Sequence, residues 1–143
     1  MAFQYLKDFN KSWITDKIDK AGIQYLENLG LLLCDKSSIK DPYPGYNGVT
    51  TSQLRNIFSE VKRIELKMDD ENTDWETDVL MLRPKIAYNT ARTLGRSKNS
   101  RMRELREVLE EALKNVSNSD HYRNFSKFCE GIIAYHKVNG GKD

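Results

Sequence analysis

The stretch Arg101–Val116, RMRELREVLEEALKNV, places Met102, Leu105, Val108, Leu109, Ala112, Leu113 and Val116 at intervals of three and four. At 3.6 residues per turn these seven share one side of a helix, and arginine, glutamate and lysine fill the other. A half-buried strand would instead alternate with period two, which this stretch does not. The sequence therefore predicts an amphipathic helix from about Arg101 to Val116. Its broad apolar face requires other elements to cover it.

The same period continues in both directions. On the C-terminal side, Asn118-Ser119-Asp120 supplies a turn and a cap. Tyr122, Phe125, Phe128, Cys129, Ile132, Ile133 and His136 then mark a helix to about Val138, ended by Gly140-Gly141. On the N-terminal side a helix is predicted over about Asp74–Leu94, with Val79, Leu80, Leu82, Ile86, Ala87, Ala91 and Leu94 inward. Pro84 should kink it or break it after Leu82, and Gly95 should cap its end. Before that, Thr50 or Thr51 should cap a helix that buries Leu54, Ile57, Phe58, Val61 and Ile64.

The first long helix should be capped by Thr15 or Asp16 and bury Ile18, Ala21, Gly22, Tyr25, Leu26, Leu29, Leu32 and Leu33. A short amphipathic lead with Leu6, Phe9 and Trp13 precedes it. The expected fold is all-α: a compact bundle of about five helices with an N-terminal lead, one domain over residues 1–143. Within it, 35–48 reads as a loop, 68–73 as an acidic linker and 139–143 as a tail.

Composition removes several classes of function. Two cysteines, Cys34 and Cys129, build neither a disulfide scaffold nor a four-cysteine zinc site, and His121 and His136 are the only histidines. The run Asp69–Asp74 fails as a calcium loop, with Asp74 where glycine is needed and Leu80 where glutamate is needed. The tail His136–Lys142 lacks the leading glycine and preceding strand of a phosphate loop. No nucleophile and base cluster is legible. The expectation is a protein that is not an enzyme, with no catalytic residues, no metal and no cofactor. Apolar runs such as Leu31–Cys34 are far short of the ~20 residues that cross a membrane. With no signal-peptide pattern at the start, a cytoplasmic protein with reduced thiols is expected, making no membrane contact.

Charge carries more information than composition. Net charge is only +2. Yet Glu65–Asp78 holds seven acids against Lys67, and Arg83–Arg106 holds eight basic residues against Glu104. Near neutrality thus conceals a strong separation of sign. At 100° per residue, Lys85, Arg92 and Arg96 fall within about 40° of one another, with Asn89 beside them and the aliphatic stripe roughly opposite. Lys98 and Arg101 extend this edge around the helix end. Arg55 and Lys62 share a face of the preceding helix, and Arg123, Lys127 and Lys137 a face of the last. Glu104, Glu107, Glu110 and Glu111 give the Arg101–Val116 helix an acidic side that is solvated or meets a basic partner. Arg83, pointing toward the apolar stripe, is expected to snorkel or to be ion-paired rather than to contact phosphate. Cations spaced by helical turns suit a polyanion backbone. The other reading of the same pattern is a helical adaptor that binds only protein.

Three ordered segments carry a family resemblance: Thr50–Asn56 (TTSQLRN), Leu82–Arg92 (LRPKIAYNTAR) and Phe125–Lys137 (FSKFCEGIIAYHK), closing with Gly140–Asp143. Together they resemble the small subunit of the type III-A CRISPR effector, the Csm complex. The resemblance spans about Thr50–Asp143, with weaker agreement over Trp13–Leu29. It implies a non-catalytic helical bundle that stacks in several copies along the guide RNA–target RNA duplex, beside the larger subunits, in antiviral defence. Arg55 and Arg92 are the arginines of the first and second segments. Lys62, Lys85, Arg96, Lys98, Arg101 and Lys127 join them as RNA-binding candidates from the strip argument. Two positions depart from the family pattern, Ala91 for glycine and Gly131 for alanine. Both are small-for-small exchanges that should preserve close helix packing.

Overall fold

The computed structural model describes residues 2–35 and 47–143, so most of the predicted 35–48 loop, with Pro42 and Pro44, lies outside the described residues. Among those residues there are six helices and no strand: α1 (Ser12–Thr15), α2 (Lys20–Cys34), α3 (Thr51–Lys67), α4 (Trp75–Arg96), α5 (Met102–Leu113) and α6 (Ser119–Val138). The expected all-α fold is observed. Helices α2 to α6 are the five predicted ones, and α1 is a single turn within the lead.

Helix α6 is the central packing surface. Its most extensive partner is α2, and α1 and α3 also lie against it. Close approach of α2 depends on Gly30: a Cβ there would stand 2.7 Å from the Cβ of Tyr135 and 2.8 Å from its carbonyl carbon. A Cβ at Gly131 would run into the Leu26 side chain, so glycine and alanine are not equivalent here: with alanine Leu26 would have to shift. Phe128 meets Phe9 edge-on at 5.7 Å and stacks with Tyr25 at 6.0 Å, tying lead, α2 and α6 into one aromatic cluster. Tyr122, fully buried, donates its hydroxyl to the Val61 carbonyl at 2.8 Å and so joins α6 to α3.

Most helix starts follow the sequence. Thr50 accepts from the Gln53 amide while the Gln53 side chain accepts from the Thr50 amide, a complete capping box. Asn118 caps α6 and Asp74 caps α4. The start of α2 differs from expectation. Asp19 is the cap, not Thr15 or Asp16; its carboxylate accepts from the Gly22 amide at 2.8 Å and from the Trp13 indole at 2.9 Å. Trp13 is buried, so its N–H needs a partner, and Asp19 satisfies it together with the orphan helix amide. In α2 itself Ala21 is exposed and Leu32 half-buried, while Gly30 and Cys34 join the buried face.

Helix α4 departs most. It runs unbroken through Pro84 to Arg96, and Gly95 lies inside it; Ser97 is the C-cap, its amide bonding the Thr93 carbonyl at 2.9 Å. Pro84 is exposed and removes one amide that would bond the Leu80 carbonyl, on a side where water can serve that acceptor. The buried face is narrow: Leu82, Ile86 and Thr90, the last donating its hydroxyl to the Ile86 carbonyl at 2.8 Å. Leu80 is 69% exposed and Ala91 is also exposed, contrary to expectation. The reason is position: among the described residues α4 packs chiefly on α3 and α5, at the edge of the bundle, and these two cover only a narrow face.

The C-terminal tail closes over the junction of α3 and α6. Gly140, at φ 81°, turns the chain, and the Thr51 amide then bonds the Lys142 carbonyl at 2.8 Å. Beneath it His136 is 1% exposed, with Nε2 hydrogen-bonded to the Val49 carbonyl. Burial holds its pKa below the usual value, nearby Lys137 adds to this, and the Val49 bond and Asp143 act the other way. A folded-state pKa below the unfolded one gives stability that is full above the unfolded pKa of about 6.5 and is lost as pH falls toward the folded value. Urea midpoints are therefore expected to drop from pH 7 to pH 5, and to drop less in His136→Gln. Equal slopes for the two proteins would show that His136 has no part in it.

Candidate nucleic-acid interface

Helices α3 and α4 diverge enough to leave an open groove between them. Its wider part, about 510 Å³, is lined by Asn56, Ile57 and Glu60 of α3 and by Leu82, Pro84, Lys85, Ile86, Tyr88, Asn89 and Arg92 of α4. A second part of about 210 Å³ shares Asn56, Asn89 and Arg92 and adds Ser52, Gln53, Thr93 and Arg96. The two share residues and form one channel, half apolar in its wider part and mainly polar toward the α4 C-terminus, the end at which a helix dipole is negative and Arg96 is favourable.

Lys85, Arg92 and Arg96 do line one edge of α4 and are all exposed. That edge flanks the buried face rather than opposing it, since Leu82 and Ile86 line the same groove. Lys85 pairs with Glu60 at 3.3 Å in an exposed bridge, and Glu60 is also held by Arg63 at 2.8 Å. The Arg63 hydrogen bonds, followed by Lys85, keep the Glu60 carboxyl below its ordinary pKa. Glu60 is thereby charge-balanced at one end of the groove. Arg92 and Arg96 form no ion pair among the described residues. Lys98 is exposed just past the helix and extends the edge; Arg103 donates to its carbonyl at 3.3 Å.

The remaining candidates are placed differently. Arg101 turns inward. Its guanidinium bridges Asp35 at 3.2 Å and Glu104 at 3.3 Å, so it ties the start of α5 to the end of α2 instead of continuing the strip. Lys62 is clamped between Glu65, at 2.9 Å, and Glu130 of α6, over the Phe58 ring. The hydrogen bond to Glu130 leads the causes that raise its pKa. Both cations already have carboxylate partners that a phosphate would have to displace. Arg55 is exposed on the outer side of α3, and Lys127 on α6; neither is ion-paired among the described residues. They lie outside the groove. Arg123 pairs with Asp69 of the acidic linker at 3.0 Å.

The acidic side of α5 is less open than its spacing suggested. Glu104 accepts from Arg101, Glu107 from the Tyr5 hydroxyl at 2.8 Å, Glu110 from Arg106 at 3.0 Å and Glu111 from Lys114 at 3.5 Å. The folded lead and neighbouring cations take up those carboxylates. Sequence reasoning missed Asn56 and Tyr88. Asn56 belongs to the site only because α3 lies along α4, and no spacing within either helix reports that. Tyr88 carried a signal: it sits on an uncharged outer face of α4 with Leu80, Met81, Pro84 and Ala91, all exposed.

Among the described residues, no three histidine, cysteine, aspartate or glutamate side chains are grouped to hold a metal, and no helix is long and apolar enough to cross a membrane. Comparison with known proteins gives two positive findings. A family model described as Csm2 Type III-A matches residues 41–142. A curated Streptococcus thermophilus protein, "CRISPR system Cms protein Csm2", is 29% identical over 98 residues, covering 66% of this chain and 76% of the relative. No solved structure gives a significant match. The matched region includes α3, α4 and the whole groove between them.

Proposed function

Because the chain belongs to the Csm2 type III-A family, a small subunit that assembles with the other Csm proteins of the CRISPR effector complex, we propose that it is a non-catalytic clamp on the guide RNA–target RNA duplex. Several copies stack along that duplex in the cytoplasm and hold it by charge and shape, while base pairing supplies sequence choice. The observation that carries this reading is the exposed edge of α4, where Arg92 and Arg96 form no ion pair among the described residues and border a polar groove. Lys85 and Lys98 extend the edge. Arg55 and Lys127 mark further faces where a long polyanion or the neighbouring subunits touch the same block.

Contacts of one copy are few, so intrinsic affinity is weak and salt-sensitive, and repetition along one strand raises it. Filter binding of the purified chain to single-stranded and double-stranded RNA over a salt series tests the proposal. Retention that declines linearly on a log–log salt plot supports it. Absence of retention at low salt would leave the protein-only adaptor, which the exposed Leu80, Met81 and Tyr88 of α4 favour.

A further inference from the structure

We propose that the α3–α4 groove accepts an unpaired RNA nucleotide, its base reached by Tyr88 and by the carboxamides of Asn56 and Asn89, its phosphate by Arg92 and Arg96. This rests on the RNA reading above and narrows it. A paired duplex presents phosphates and 2′-hydroxyls to a protein and conceals its base faces and pairing edges. Cations alone satisfy such a partner. The groove offers more than cations.

Three observations point to a base. Tyr88 is 65% exposed and has no hydrogen bond and no ring partner among the described residues. An aromatic face left open beside arginines is the arrangement on which single-stranded bases stack. Next, the carboxamides of Asn56 and Asn89 come from different helices, line both parts of the channel and make no hydrogen bond among the described residues. Each carries two donors and an acceptor, a pattern that matches base edges and that phosphate does not need. Finally, the wider part of the channel, about 510 Å³, is large enough to seat a base, and it stays open along the side from which a strand would enter.

Charge sets the direction in which the nucleotide lies. Glu60 occupies one end and already engages Arg63 and Lys85, so a phosphate there would have to displace a carboxylate from those cations. Arg92 and Arg96 hold the other end, one and two turns beyond Tyr88 on the same helix. A phosphate on the arginines therefore leaves its base over Tyr88 and the two asparagines.

The test uses the full chain with fluorescent 12-nucleotide single-stranded RNA and a blunt duplex of the same sequence, titrated over a salt series. Tyr88→Ala is expected to weaken single-strand binding about tenfold, to leave duplex binding within about twofold, and to leave the salt slope unchanged. Tyr88→Phe should bind like the original protein, and Asn56→Ala with Asn89→Ala should reproduce the selective loss. These positions are exposed or half-buried, and circular dichroism checks that each variant folds. An equal loss for both RNAs, no loss in Tyr88→Ala, or a lowered salt slope overturns the base site while leaving the clamp intact. No binding of either RNA by the unaltered chain overturns both.

Discussion

Replacing Phe128 by alanine is expected to destabilise the protein by about 3–5 kcal/mol, the usual cost of removing a buried aromatic ring from a core that cannot collapse around the gap. Phe128 is 1% exposed and packs from α6 against Phe9 of the lead and Tyr25 of α2. The void would open where lead, α2 and α6 meet, so relaxation of one element would unseat the others. In a chain of this size the loss corresponds to a melting temperature lower by roughly 10–20 °C. Thermal or urea denaturation of Phe128→Ala checks it. A loss below about 1 kcal/mol would mean that the lead does not pack on α6 as described. Phe128→Leu keeps most of the volume and should lose much less.

The double change Arg92→Ala with Arg96→Ala is expected to weaken RNA binding at least tenfold near 0.1 M salt and to lower the log–log salt slope by about 1.5, since each neutralised phosphate accounts for ~0.7–0.9. Neither guanidinium is ion-paired among the described residues, so the fold should be unaffected. Lys62→Ala makes the opposite prediction. Lys62 is clamped by Glu65 and Glu130, so its removal should reduce stability and leave the salt slope where it was. If the Lys62 change altered the slope and the arginine pair did not, the interface would lie on the α3–α6 side of the bundle instead of along α4. Arg92→Lys with Arg96→Lys should retain most of the slope, because counterion release counts charge more than guanidinium shape.

The helices were legible because their signals are local. Thr50 or Thr51, the turn Asn118-Ser119-Asp120 and the acidic residues before Trp75 each marked a start, and the spacing from Met102 to Leu113 marked a buried face. The misreadings have a common origin. Asp19 replaced Thr15 and Asp16 as a cap because Trp13, six residues away, needed the same carboxylate. Leu80 and Ala91 have helical spacing but are exposed, as α4 sits at the edge of the described bundle. Arg101 and Lys62 read as strip cations because their carboxylate partners Asp35 and Glu130 are distant in sequence.

Sequence by itself determined the all-helical class, the five long helices, the separation of acidic from basic blocks and the shared edge of Lys85, Arg92 and Arg96. Each follows from the 3.6-residue repeat and from groups within a few turns of one another. Only the tertiary structure decided which cations stay available, that α3 completes a channel beside that edge, and that Tyr88, Asn56 and Asn89 converge there. Those outcomes depend on which helix faces which, and helix neighbours are chosen by burial of whole faces, a sum over the chain that no local spacing contains.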